Sequence, residues 1–216
     1  MANVNMNLPS GLSGKIGKLI FYQVGNKTYM RRSPKRVRQP NTKGQLLQRS
    51  KVTGAQVVYR FVKGGELERV FAAWAMCEGA WSGYHLFMSK NMNAFGLGNY
   101  VDYGKLVFSG GELQLPHELE LVEVTTEGVG FSWKDNSAGM TAGNDDRLRA
   151  VWMTDDEPYR VVMAESVSGT REEGRGSLVL PEGDWKVMHV YVFFSSEDGT
   201  RYSPSVYFKV MKPEND

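Results

Sequence analysis

From residue 119 to residue 210 the chain repeats one pattern, a short run of β-branched, aromatic and other apolar residues closed by turn residues. Residues 119–125 alternate apolar and polar, and further runs follow at 129–133, 148–153, 159–164, 177–180, 187–194 and 205–210. Gly, Asn, Asp and Ser fill the segments between, as in 135–139 (Asp-Asn-Ser-Ala-Gly) and 197–199 (Glu-Asp-Gly). Runs this short cannot bury their apolar residues alone. Seven of them at such spacing predict an antiparallel β-sandwich, and 41% apolar content supplies its core.

The first hundred residues follow another rule. Residues 18–24 and 27–32 are strand-like and flank Gly25 and Asn26, a two-residue hairpin signal because primed turns need positive φ. Arg31, Arg32, Lys35, Arg36 and Arg38 follow, punctuated by Pro34 and Pro40, which favours an extended arm. Asn41 or Thr42 is placed to cap a helix over about 43–63, with Leu47, Val58, Phe61 and Val62 for its face and Gly54 as a flaw. A second helix begins at Glu66, with Leu67, Val70, Phe71 and Trp74 on one stripe. After Trp81, bracketed by Gly79 and Gly83, a third covers 84–95 with Tyr84, Phe87, Met88 and Met92 as core. Residues 96–103 read as a connection and 104–111 as a short strand. The expected architecture is α+β: an N-terminal β-hairpin and helical section in residues 1–103, then an antiparallel sandwich in 104–216.

Charge divides the chain differently. Residues 1–65 hold thirteen Lys and Arg and no acid, the first being Glu66, while the remainder is −11. The total of +2 conceals this polarity. Lys15, Lys18, Arg31, Arg32, Lys35, Arg36, Arg38, Lys43 and Arg49 are therefore the candidate binding residues. The preferred partner is a protein, either an acidic surface or the acidic part of another copy, in a structural or protein-binding module. The alternative is nucleic-acid binding by residues 15–51, where Phe21, Tyr22 and Tyr29 interleave with the cations.

Signals for catalysis are weak, and the chain reads as a non-enzyme with no cofactor. Gly14 and Lys15 resemble part of a phosphate loop, but Pro9 and Ile16 stand where glycine and Ser or Thr are required. Metal ligation is not expected, since His85, His117, His189 and Cys77 lie more than four residues apart. Cys77 is expected to be buried, and His189 to face solvent or a hydrogen-bonded edge. The acids at 145–146, 155–157 and 172–173 read as solvated turns, and two carboxylates brought together from distant segments leave an enzyme as a third reading. The start lacks a Sec signal peptide and nothing is long enough for a membrane span. With one cysteine, this points to the cytoplasm, or to a virion or other assembly made there.

Two resemblances add to this. Phe131-Ser-Trp133, Leu178-Val-Leu180-Pro181, the stretch 191–199 and Ser203-Pro204-Ser205 resemble the core tryptophan strand, the pre-F leucine and the final hairpin of fibronectin type III or immunoglobulin-like domains. Asp184 and Trp185 depart from that family, which usually has Thr or Glu before a tyrosine there. The resemblance implies a structural or adhesive role. The whole chain also resembles an uncharacterised Bacteroidota family, on Gly11, Gly14, Lys15, Gly17, Phe21, Tyr22, Tyr29 and Arg31. Its stretch 40–49 is similar to an Asn-Pro-x-Thr-x-x-Gln-x-x-x-Arg pattern of phage-derived and mobile-element proteins, with Pro40 and Asn41 reversed and Gly44 replacing Pro or Ala. That implies a phage, prophage or mobile-element assembly component.

Overall fold

The computed structural model describes residues 2–3, 13–25, 27–34 and 41–213, with residues 2 and 3 described as backbone only. The chain forms two compact units, Met1–Thr42 and Lys43–Asp216. In the first, strands β1 (Ala2–Asn3), β2 (Gly14–Ile16), β3 (Leu19–Val24) and β4 (Lys27–Arg32) make one sheet in the order β1-β4-β3-β2. The expected hairpin is β3–β4, with Val24 opposite Lys27 and Gly25 at φ +59°. Gly17 has the same φ in the turn from β2 to β3, a left-handed conformation that glycine adopts without a Cβ clash. Most of the arm expected over 31–39 lies outside the described residues.

The second unit opens with helices α1 (Lys43–Val62), α2 (Glu66–Cys77) and α3 (Gly83–Asn91). Their apolar stripes converge. Val58 and Val62 of α1, Val70, Phe71 and Trp74 of α2, and Leu86 and Phe87 of α3 are buried in one cluster. Gly54, read as a flaw in α1, is a packing requirement: a Cβ there would sit 2.8 Å from Cδ1 of the buried Phe95 ring. Ser82 caps α3 by accepting the His85 backbone N–H at 3.3 Å.

The sandwich follows the expected runs. Strands β5 (His117–Val124), β6 (Gly128–Lys134), β9 (Val167–Ser168) and β10 (Arg175–Val179) form one sheet in the order β5-β6-β10-β9. Strands β7 (Arg147–Thr154), β8 (Val162–Met163), β11 (Val187–Ser195) and β12 (Val206–Met211) form the other in the order β12-β11-β7-β8. All pairings are antiparallel. The order is that of an immunoglobulin-like sandwich, with sheets corresponding to strands A-B-E and G-F-C and the first and last strands at opposite edges. The fold is thus α+β with an immunoglobulin-like sandwich.

The second sheet is covered on both faces. Met188, Val190, Val192 and Phe194 of β11 face the sandwich core with Trp133, Phe131 and Leu178, whereas Tyr191 and Phe193 face the helices with Phe71, Phe87 and Phe108. The result is three layers, helices on sheet on sheet, and it explains why β11 reads as nearly continuous apolar sequence.

Two strand expectations are corrected. Residues 104–111 form no strand: they begin inside a 3-10 turn, Tyr103–Lys105, and continue as irregular chain. Buried Asn91 of α3 takes the place of a ladder partner: its Nδ2 donates to the Val107 carbonyl at 2.9 Å and its Oδ1 accepts the Val107 N–H at 2.8 Å. The run 159–164 contributes only Val162–Met163, because Tyr159 stacks instead on Phe95, at 6.4 Å between ring centroids.

Trp185 resolves the departure at the start of the penultimate strand. Its indole N–H donates to the Pro181 carbonyl at 3.0 Å, a bond back to backbone four residues upstream. The hydroxyl of a tyrosine corner does the same in immunoglobulin-like domains.

Candidate functional site

Strand pairing sorts the N-terminal sheet into two unlike faces. Directly paired residues share a face and successive residues along a strand change face. Ile16, Leu19, Phe21 and Met30 therefore lie on one side with Arg32, and Lys15, Ile20, Tyr22, Lys27, Tyr29 and Arg31 on the other. The first side is mainly apolar, with Ile16 58% exposed. The second is basic and aromatic. Tyr22 and Tyr29, paired across the strands, stack at 5.8 Å with an interplanar angle of 20°, and the Arg31 guanidinium lies 5.9 Å over the Tyr22 ring. Both tyrosines are half-buried, while Lys15, Lys27 and Arg31 are exposed.

At the β2–β3 end a hollow of about 150 Å³ is lined by Lys15, Gly17, Lys18, Arg32, Ser33 and Pro34. The Ser33 N–H donates to the Lys18 carbonyl at 2.7 Å, which ties the turn to the end of β4 and draws cations from both faces to one place. Of the nine binding residues expected from sequence, Lys15, Lys18, Arg31 and Arg32 thus belong to this sheet. Lys43 and Arg49 stand on α1, in the other unit. Lys35, Arg36 and Arg38 lie outside the described residues. Lys27 was not among the nine, yet the register sets it beside Tyr29 on the basic face; its i, i+2, i+4 spacing with Tyr29 and Arg31 was readable once 27–32 was taken as a strand.

Elsewhere, several residues take positions that the sequence did not foretell. Cys77, the last residue of α2, is exposed rather than buried, although it lies one turn past Trp74 and two past Val70. It lines a cleft of about 470 Å³ with Trp74, whose indole N–H donates to Glu78 at 2.7 Å, and with Lys90, which pairs with Glu78 at 2.8 Å. His189 does not face solvent; of the two positions expected for it, it takes the hydrogen-bonded one, toward edge strand β12. It stacks on Tyr103 at 3.6 Å, and its Nδ1 is 2.8 Å from the Tyr207 hydroxyl. Burial pulls its pKa down to about 4, aided by nearby Lys209 and opposed by Asp155. The same burial pushes Tyr103 up to about 12, with Asp155 adding to the effect.

Asp146 is not a solvated acid either. It is buried and pairs with the fully buried Arg171, whose Nε donates to its Oδ2 at 2.9 Å. The guanidinium also donates to Asn136 Oδ1 and, at 2.6 Å, to the Gln114 carbonyl. The network ties three loops at one end of the sandwich, and the Trp133 indole joins it by donating to the Arg171 carbonyl at 2.9 Å. Among the described residues no group of three or more His, Cys, Asp or Glu is arranged to hold a metal ion. No helix among them is long and apolar enough to cross a membrane.

A family described as "Family of unknown function (DUF6266)" matches residues 11–209, nearly the whole chain. The chain belongs to this family. The match takes in strands β2–β4 of the acid-free sheet and nearly all of the three-layered unit, so both units contribute to one family architecture. No curated protein matches. Among solved structures, the chain is similar to the FN1–FN3 domains of chicken CNTN1, at 11% identity and TM-score 0.35, over 48% of this chain and 33% of that one. It is also similar to domains A168–A170 of titin, at 15% identity and TM-score 0.34, over 49% of this chain and 34% of that one. The chain spans about a third of the length of each.

Proposed function

We propose that this protein is a non-enzymatic structural module that docks on an acidic protein surface through its N-terminal unit, as a component of an assembly. The observation that carries this reading is the separation of charge by folded unit. Residues 1–42 have eight Lys and Arg and no acid, whereas 43–216 are net −6. An acid-free sheet has no internal ion pairs to neutralise it, so its field is directed outward to a partner. Acidic surfaces of further copies meet that requirement, and a head-to-tail contact between unlike surfaces builds rings or filaments. The similarity of residues 40–49 to mobile-element proteins supports a phage, prophage or mobile-element assembly made in the cytoplasm. The buried titratable groups support a structural role as well, since His189, Arg171 and Asp146 are each engaged in packing and hydrogen bonds.

Size-exclusion chromatography with light scattering tests the self-docking form. Multimers that dissociate as salt rises, and that vanish when residues 1–42 are deleted, are the expected result. A strict monomer at low salt, with no acidic partner captured by the full chain but not by the deletion, refutes it.

A further inference from the structure

We propose that the face of the N-terminal sheet bearing Tyr22 and Tyr29 is a platform for single-stranded nucleic acid. This rests on the reading of that unit as the docking element and adds a ligand class for one of its two faces.

Three observations on the same small sheet converge. The first is the cross-strand tyrosine pair, with rings 5.8 Å apart and Arg31 stacked over one of them. A stacked aromatic pair on a sheet is a surface on which nucleic-acid bases can continue the stack, and a guanidinium against such a ring adds to it. The second is the placement of cations. Lys27 and Arg31 flank Tyr29 on β4, about 14 Å apart by strand geometry, and Lys15 lies across β3 from Arg31. They form a rail along which a sugar–phosphate backbone runs while its bases turn to the tyrosines. The third is the hollow of about 150 Å³ where Lys15, Lys18 and Arg32 converge, which suits a phosphate group.

Charge complementarity selects a polyanion, and the tyrosines distinguish which one. An acidic peptide engages the lysines and arginines but gains little from a stacked ring pair. A duplex presents phosphates but keeps its bases stacked internally. Only an unpaired strand satisfies both groups at once.

Fluorescence anisotropy of full-length protein with a labelled twelve-nucleotide oligothymidylate tests this, with a duplex of equal length, polyphosphate and polyglutamate as competitors. The single strand is expected to bind at least about tenfold tighter than any of the three. Tyr22→Ala and Tyr29→Ala should each weaken it by about 5- to 150-fold, the range that base stacking spans, while Tyr22→Phe and Tyr29→Phe stay within about threefold. Equal binding of polyphosphate or duplex, displacement by polyglutamate at equal charge, or indifference to Tyr→Ala overturns the proposal. If circular dichroism shows that an alanine variant does not fold, Lys15→Glu with Lys27→Glu decides. Two lost phosphate contacts should reduce the slope of log affinity against log salt by roughly 1.4, and an unchanged slope overturns the proposal. Salt-sensitive multimers without oligonucleotide binding overturn this proposal and leave the docking role intact. Oligonucleotide binding by a strict monomer does the reverse.

Discussion

Replacing Arg171 with methionine should be among the most damaging single changes in the sandwich, and the structure supplies the size of the effect. The Arg171 side chain is fully buried and that of Asp146 is 4% exposed. Methionine fills much of the same volume but donates nothing. Asp146 keeps only the Gly143 N–H, at 2.8 Å, and the Gln114 carbonyl and Asn136 Oδ1 lose the guanidinium. Removing one partner of a buried ion pair costs about 3–5 kcal/mol, because the other charge is left uncompensated. In a protein of this size each kcal/mol lowers Tm by about 2–4 °C, so a fall of about 6–20 °C is expected. Adding Asp146→Asn removes the stranded charge while leaving an oxygen for Gly143, and the double variant should recover at least about 1 kcal/mol. Urea denaturation followed by circular dichroism and tryptophan fluorescence measures both, Trp133 reporting directly because its indole N–H is bonded to the Arg171 carbonyl. A loss below about 1 kcal/mol, or a double variant no more stable than the single, refutes the view that this pair holds the loop end together.

Gly54→Ala should destabilise the helical layer by about 1–3 kcal/mol through overpacking on Phe95, although alanine is favoured by about 1 kcal/mol in an exposed helix; stabilisation on denaturation would show that Phe95 moves freely. His189 should make stability depend on pH. Its folded pKa, about 4, is below the unfolded value of about 6.5, so its neutral form contributes fully above pH 6.5 and the contribution is lost as pH falls toward 4. The drop is about 3–4 kcal/mol at most, and His189→Gln should flatten that window in pH-resolved denaturation; parallel curves for the two proteins contradict it.

Much of the sandwich was legible because its information is local. Period-two alternation and turn residues mark where strands begin and end: the runs at 129–133, 148–153 and 187–194 fall within strands, and those at 177–180 and 205–210 overrun theirs by one residue, Leu180 and Ser205. The hairpin was equally plain, since Gly25 answers a backbone need that two neighbouring strands create. Helices announced themselves by stripe spacing, within a few residues of their ends. Residues 104–111 were misread for the converse reason. Leu106, Val107 and Phe108 have strand character, but Asn91 and Ser205 take up their backbone groups from elsewhere in the chain.

For the candidate site, composition was enough to single out an acid-free segment, but composition does not assign faces. Strand register separated Lys15 and Arg31 from Arg32, brought in Lys27, and set Tyr22 against Tyr29. The same division runs through the rest of the molecule. Local order along the chain settled which segments became strands, helices and turns, because propensity and periodicity act between near neighbours. The roles of Gly54, His189, Asp146 and Arg171 came only with the packed layers. Each depends on a group far along the chain, Phe95, Tyr103, Arg171 and Gln114 respectively, and burial between such partners changes what a residue does without leaving a mark in its own neighbourhood.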